Sequence, residues 1–261
     1  MNPMFYTKPI ALNEQAHKDW KIEAVEDYKF AKKTNSVYLA LNEQAHKDWK
    51  IEAVEDYKFA KKTNSVYLMS AEFVLASKEY PVVFVRNNDV VTPIALLGLK
   101  DNTNQFVVPK GGWDADYIPA YVRRYPFIPA TKEGSDELML CIDEGYKGLN
   151  SKKAKLPLFD KDGKPDVITQ QAINLLQSYH VENNTTAEFC KVVDALGLFE
   201  EAQVEGSTAS GEKIQMGGFL RVSRSKLADL KAKDVKSLFD NGALELIYAH
   251  LQSLANLKNL A

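Results

Sequence analysis

Histidine and cysteine are scarce in this chain, and none stands at a spacing that metal or nucleophile chemistry requires. The four histidines are His17, His46, His180 and His250. No two of them form an HxxxH pair and no cysteine sits beside one, so no metal-ligand set is written in the sequence. The two cysteines, Cys141 and Cys190, lie in apolar surroundings that suit buried thiols in a reducing compartment, the alternative being one disulfide between them. Patterns of the type G-x-S-x-G, G-x-G-x-x-G and the P-loop are also missing, which removes the nucleophile elbow, the dinucleotide fold and the phosphate cradle. No cofactor is indicated. No apolar run approaches the roughly 20 residues that span a bilayer, so no transmembrane segment is expected. The opening MNPMFYTKPIAL shows no basic stretch leading into a long apolar one. A soluble protein is expected, cytoplasmic by default, with signal-less export to the cell surface as the alternative. Excess positive charge is lacking too. With 33 Lys and Arg against 35 Asp and Glu the formal charge is −2, so nucleic acid is not an expected partner.

What is present is a repeat. ALNEQAHKDWKIEAVEDYKFAKKTNSVYL fills Ala11 to Leu39 and recurs letter for letter from Ala40 to Leu68. Old structural repeats drift at surface positions, and these two have drifted nowhere. Two copies also fall short of the three that stacked repeats need. The pair reads as a recent in-frame tandem duplication, or as an assembly or cloning artefact, in which one copy fills the native place and the other is spare. Looping out the spare costs about 3 kcal/mol of closure entropy. It would also put apolar side chains in water, which makes a domain-swapped dimer a hazard.

The segments read as residues 1–69, holding the repeat; 70–143, a β-rich core with an aromatic helix; 144–165, a Gly/Lys/Asp/Pro-rich loop or linker; and 166–261, helical with one hairpin. The last packs with 70–143 as a single domain. Strands are predicted at Pro81–Arg86, Val90–Leu99, Gln105–Val108, Phe127–Ala130 and Glu137–Asp143, with Pro93 marking an edge or bulge. Helices are predicted from Ser70 to Glu79, from Asp114 or Asp116 to Arg124, from Asp166 to Tyr179, and from a Thr185/Glu188 capping box to Leu196. A hairpin joins Glu200–Glu205 to Lys213–Val222, and Gly217-Gly218 marks a bulge. Two short helices then cover Ser225–Leu230 and Val235–Phe239. The last helix carries an apolar stripe of Leu244, Ile247, Leu251 and Leu254. The fold class is α+β: a mainly antiparallel sheet with C-terminal helices packed on it.

Two stretches invite a chemical reading. Asp160-Lys161-Asp162-Gly163 resembles the opening of a calcium loop, but the glycine comes too soon and the twelfth position is Gln171, so a plain turn is expected. Trp113, Asp116, Tyr117, Tyr121, Arg123 and Arg124 form a denser group. Adjacent arginines among tyrosines can clamp an anion or stack on a planar ligand, with His250 as a further candidate. The plainer reading is an aromatic helix on a sheet, with Arg–Asp pairs at its rim.

The succession ALNEQAHKDWKI, VEDYKFAKKTNSV, AEFVLASKEYPVVFV, ALLGLKD, WDADYIPAYVRRYPF, CIDE, LFDKDGKP, GGFLRV and ALELIYAHLQSL resembles the SapC family of bacterial proteins. It does so over nearly the whole chain once one repeat copy is set aside. The family takes its name from surface-layer gene regions. The resemblance therefore implies an accessory or binding protein, more a non-enzyme than an enzyme, with envelope or surface-layer proteins as partners. It carries over no catalytic residue. The alternative is an enzyme or small-ligand binder built on the 113–125 cluster.

Overall fold

A computed structural model describes residues 22–23, 38–40, 46–52, 56–132, 138–207, 211 and 213–260. Its strands in chain order are β1 (Ile22–Glu23), β2 (Tyr38–Ala40), β3 (Lys50–Ile51), β4 (Ser65–Tyr67), β5 (Val82–Asn87) and β6 (Val90–Leu96). There follow β7 (Phe127–Lys132), β8 (Leu138–Asp143), β9 (Leu156–Pro157), β10 (Phe199–Ser207) and β11 (Lys213–Val222). The helices are α1 (Phe73–Ala76), α2 (Ala120–Arg123), α3 (Val167–Ala195), α4 (Arg224–Ala228), α5 (Ala232–Asp240) and α6 (Ala243–Ser253). The chain is α+β, its sheets antiparallel throughout. It forms two compact units, one of residues 60–122 and 181–261, the other of residues 2–59 and 123–180.

The first unit is built on a sheet of order β10-β11-β5-β6-β4. Alternation along β5 sends Val83 and Val85 to one face, where they join Ile94, Leu96, Met216 and Phe219. Phe84 points to the other face, into Phe73, Phe189, Phe199 and His250. Pro93 lies inside β6, yet the strand tolerates it. Its carbonyl accepts from Leu68 N (3.2 Å) just where the pairing with β4 runs out, so the absent N–H falls at the end of that ladder. Gly217 and Gly218 together oppose Gln203, and Gly218 takes φ +80°, the bulge the sequence announces. Gly98 is needed for a close approach, since an ideal Cβ there would stand 2.3 Å from the Thr103 carbonyl oxygen.

The second unit carries two antiparallel ladders, β1-β7-β8-β2 and β3-β9. Its core gathers Ile51, Phe127, Ile142, Leu158, Phe159, Ala172 and Leu176. The Asp160 turn is a plain one. Asp160 Oδ1 accepts from the N–H groups of Asp162 (2.8 Å) and Lys164 (2.9 Å), and Gly163 adopts φ +78°.

Several local expectations give way to longer-range bonding. The predicted break near His180 is absent, and α3 runs unbroken for 29 residues. Thr185 and Thr186 do not cap; their hydroxyls donate back to the carbonyls of Val181 (3.3 Å) and Glu182 (2.7 Å), one turn earlier. The helix expected from residue 114 shrinks to α2, because the N–H groups of Asp116, Tyr117 and Ala120 are drawn to the carboxylates of Glu79 and Glu72. No third strand forms at 105–108. The chain folds back at Gly111 (φ +97°), leaving a single bridge between Val107 and Trp113. The helix from Ser70 is a 3₁₀ turn followed by α1.

The repeat copies are described unequally. Of the first, only Ile22–Glu23 and Tyr38–Leu39 are described, so the fate of the rest lies outside the described residues. Ile22 pairs with β7 and its duplicate Ile51 with β9; Tyr38 pairs with β8 and its duplicate Tyr67 with β6. Identical sequence thus takes different partners, so the environment and not local propensity sets the pairing. Cys141 and Cys190 are free and buried, which settles the disulfide alternative. Burial pushes both thiols up to about 12, so neither is a nucleophile at neutral pH.

Candidate ligand-binding site

The predicted cluster is contiguous in sequence but is shared between the units, the division falling between Val122 and Arg123. Trp113, Asp116, Tyr117 and Tyr121 belong to the first. There, buried Glu72 accepts from Met69 N (3.0 Å), Ala120 N (2.7 Å) and the Tyr117 hydroxyl (2.6 Å). Glu79 accepts from Asp116 N and Tyr117 N, both at 2.9 Å. Trp113 Nε1 donates to the Tyr80 hydroxyl (2.8 Å), which itself donates to the Tyr117 carbonyl. Burial drives the Tyr80 phenol far above its ordinary range, the Trp113 donor opposing it. Tyr121 is buried. These bonds fix a loop; they present no reactive group.

Arg123 and Arg124 fall in the second unit and line a cavity of about 300 Å³. Pro126 and the segment around it form one wall, α3 another through Ile168, Gln171, Ala172 and Leu175, and β3 a third through Ile51, with Glu52 just beyond it. The arginines differ. Arg123 is exposed, whereas Arg124 is 2% exposed and holds its guanidinium 4.8 Å from the centre of the Tyr179 ring, a cation–π contact.

The aromatic wall is braced from behind. Phe59 stacks on Tyr125 (4.1 Å), and Tyr125 meets Tyr146 edge-on (5.5 Å). Tyr125 donates its hydroxyl proton to buried Asp143 Oδ2 (3.1 Å), whose Oδ1 accepts from Gly145 N (2.8 Å). Tyr146 donates to the Glu52 carbonyl (2.8 Å), and Ser151 Oγ donates to Glu52 Oε2 (3.0 Å). Side chains locked in this way lose little freedom when a ligand arrives.

His250 belongs to the core of the first unit. It is fully buried, its Nδ1–H donating to the Val82 carbonyl (2.7 Å) and its Nε2 accepting from Val222 N (3.0 Å). Both nitrogens are thereby used, in the neutral tautomer. Burial lowers its pKa to about 4 against the raising pull of the Val82 carbonyl.

Sequence reasoning did not place Ile51, Glu52, Phe127, Tyr146 or the α3 residues at a site. Ile168, Ala172, Leu175 and Leu176 carry the spacing of any core-facing helix stripe, and nothing in that spacing separates a cavity wall from a packed one. Among the described residues no group of three or more His, Cys, Asp and Glu side chains is placed to hold a metal ion. None of the described helices is long and apolar enough to cross a membrane.

A family model described as SapC matches residues 41–260. No curated protein and no solved structure matches the chain. The family match runs through the second repeat copy and leaves the first outside. Deleting residues 11–39 removes β1 and most of β2, the two outer strands of the β1-β7-β8-β2 ladder, but leaves the family-matched region whole, and is expected to preserve cooperative melting. A fall in Tm of about 10 °C, worth several kcal/mol in a chain this size, would instead make both copies structural.

Proposed function

The chain belongs to the SapC family, and from that premise we propose that it is a non-enzymatic accessory protein that binds a small organic ligand in the cavity beside Arg123 and Arg124. The observation that carries this reading is the cavity's composition, mostly apolar wall with a few fixed polar groups, which is the make-up of small-molecule sites. The engagement of Trp113 with the Tyr80 hydroxyl, of Tyr117 with the Glu72 and Glu79 carboxylates, and of His250 with the Val82 and Val222 backbone supports a binding role over a catalytic one. The surface-layer association in the family's name makes the cell envelope the setting for that role, with envelope or surface-layer proteins as its partners. The test is a mass. A chain purified under native conditions should carry a small molecule that leaves on unfolding. A bare chain, taken with no response to any small acid in a thermal-shift screen, would move the function to protein partners.

A further inference from the structure

We infer that the first unit carries a site of its own, a seat for a phosphate monoester between Arg221, Arg224 and Ser225. With Glu200, Val222 and Leu251, these side chains line a cavity of about 330 Å³ where β11 runs into α4. Every lining residue lies between 200 and 254, within that unit. The backbone beneath is pinned. Val222 N donates to His250 Nε2 (3.0 Å), and Ser223 N donates to the Leu198 carbonyl (2.9 Å). A site held on such a frame needs little ordering when a ligand arrives.

The charges of this lining are not balanced from within. Glu200 accepts from Arg221 Nε at 2.8 Å. Hydrogen bonds from Ser223 and Arg221 hold its carboxyl below the usual carboxylate range, so it stays ionised and engaged. That bond uses Nε alone. Among the described residues, the terminal nitrogens of Arg221 have no hydrogen-bond partner. Arg224 is exposed and, among the described residues, has neither a hydrogen bond nor an ion pair. The lining therefore sets two guanidinium groups against one carboxylate. The surplus is felt in the core, where, beyond burial itself, the charges of Arg221 and Arg224 both help to keep His250 from protonating.

An anion is the ligand that this surplus favours, and the donor layout separates one anion from another. A carboxylate has two oxygens in one plane and is satisfied by a single guanidinium fork. A phosphate monoester brings three acceptor oxygens and close to two charges, enough to engage both arginines at once. Ser225, exposed at the rim with its Oγ 3.0 Å from Ser223 Oγ, adds a hydroxyl that can turn towards a third oxygen. Val222, Leu251 and Leu254 supply an apolar side for the organic part of the ester.

Phosphate monoesters occur free and as lipid headgroups, so the test offers both. The full-length chain is titrated calorimetrically with phenyl phosphate and with benzoate. It is also sedimented with phosphatidylcholine vesicles, with and without phosphatidic acid. Phenyl phosphate should bind more tightly than benzoate. Arg224→Gln should weaken it by about tenfold or more, the worth of one charge-assisted hydrogen bond, with Tm unchanged. Ser225→Glu, which sets a carboxylate in the seat, should abolish binding and replaces Arg224→Gln if that variant fails to fold. Lys233→Gln, at an exposed cation outside the lining, should weaken binding less than about twofold. Binding in solution alone makes a free ester the source; uptake only by vesicles with phosphatidic acid, with the same dependence on Arg224, makes it a headgroup. Either supports the seat. Equal losses in Arg224→Gln and Lys233→Gln would reduce the binding to diffuse surface charge and overturn it. Benzoate binding as tightly as phenyl phosphate would overturn the phosphate assignment. No binding of ester or vesicle, or binding that neither cavity variant weakens, would overturn the site.

Discussion

Phe84→Ala is expected to destabilise the chain by about 3–5 kcal/mol, the range for removing a fully buried ring. Phe84 is 0% exposed at the middle of β5. It touches Phe73 (6.2 Å between ring centres), Phe189 (6.3 Å), Phe199 (4.8 Å) and His250 (4.9 Å). Those partners come from α1, α3 and α6 and from β10 of the same sheet, so the one ring joins three helices to the sheet. Truncation would open a hole that neighbours from four directions cannot all move to fill. Denaturant unfolding of Phe84→Ala beside Val85→Ala separates this account from a general intolerance of β5. Val85 lies on the opposite face and is only partly buried, so its loss should cost far less. A Phe84→Ala cost below about 1 kcal/mol would remove this cluster as the organising core of the unit.

The second large effect comes from acid. His250 titrates near 4 in the fold and near 6.5 in the unfolded chain. Above pH 6.5 the ring is neutral in both states and its contribution is complete. Between pH 6.5 and 4 the unfolded chain takes up a proton that the fold refuses, so stability falls. Below pH 4 this contribution levels off. The gap between the two values corresponds to about 3 kcal/mol. The structural cause is plain: protonation puts a hydrogen on Nε2, which must accept from Val222 N, so charging the ring breaks that bond inside the core. His250→Gln keeps a donor and an acceptor but cannot titrate. Between pH 7 and 4 the native chain should lose about 3 kcal/mol more than His250→Gln, once the carboxylates common to both are subtracted. Parallel losses would show that His250 is protonated in the fold.

These two residues also mark what was legible in the sequence. The β5–β6 hairpin, the β10–β11 hairpin with its Gly217-Gly218 bulge, and the apolar stripe of α6 are short-range patterns, and each was readable from its own stretch. His250 stands in that stripe beside Leu251, and only the carbonyl of Val82, brought from 168 residues away, reveals its role. Where a local signal met a distant partner, the partner prevailed. The Thr185 capping box yielded to the continuing α3, and the helix signal after Asp114 yielded to Glu72 and Glu79. Glu72 itself was readable only as one acid in an apolar run.

The site was half legible for the same reason. The residues 113–125 looked like one cluster because they are neighbours in sequence, yet the first four site candidates and the two arginines fall in different units. Arg123 and Arg124 reach a ligand-sized cavity only because β3, the Tyr146 loop and the first turns of α3 close around them. Those segments lie tens of residues apart, and no spacing rule connects them.

Native mass spectrometry of the full-length chain beside Leu175→Trp, each weighed before and after mild unfolding, tests the central claim most directly. A small adduct on the native chain, lost on unfolding and missing from a folded Leu175→Trp, is the predicted result. A bare native chain, or an adduct that the filled cavity still carries, would contradict it.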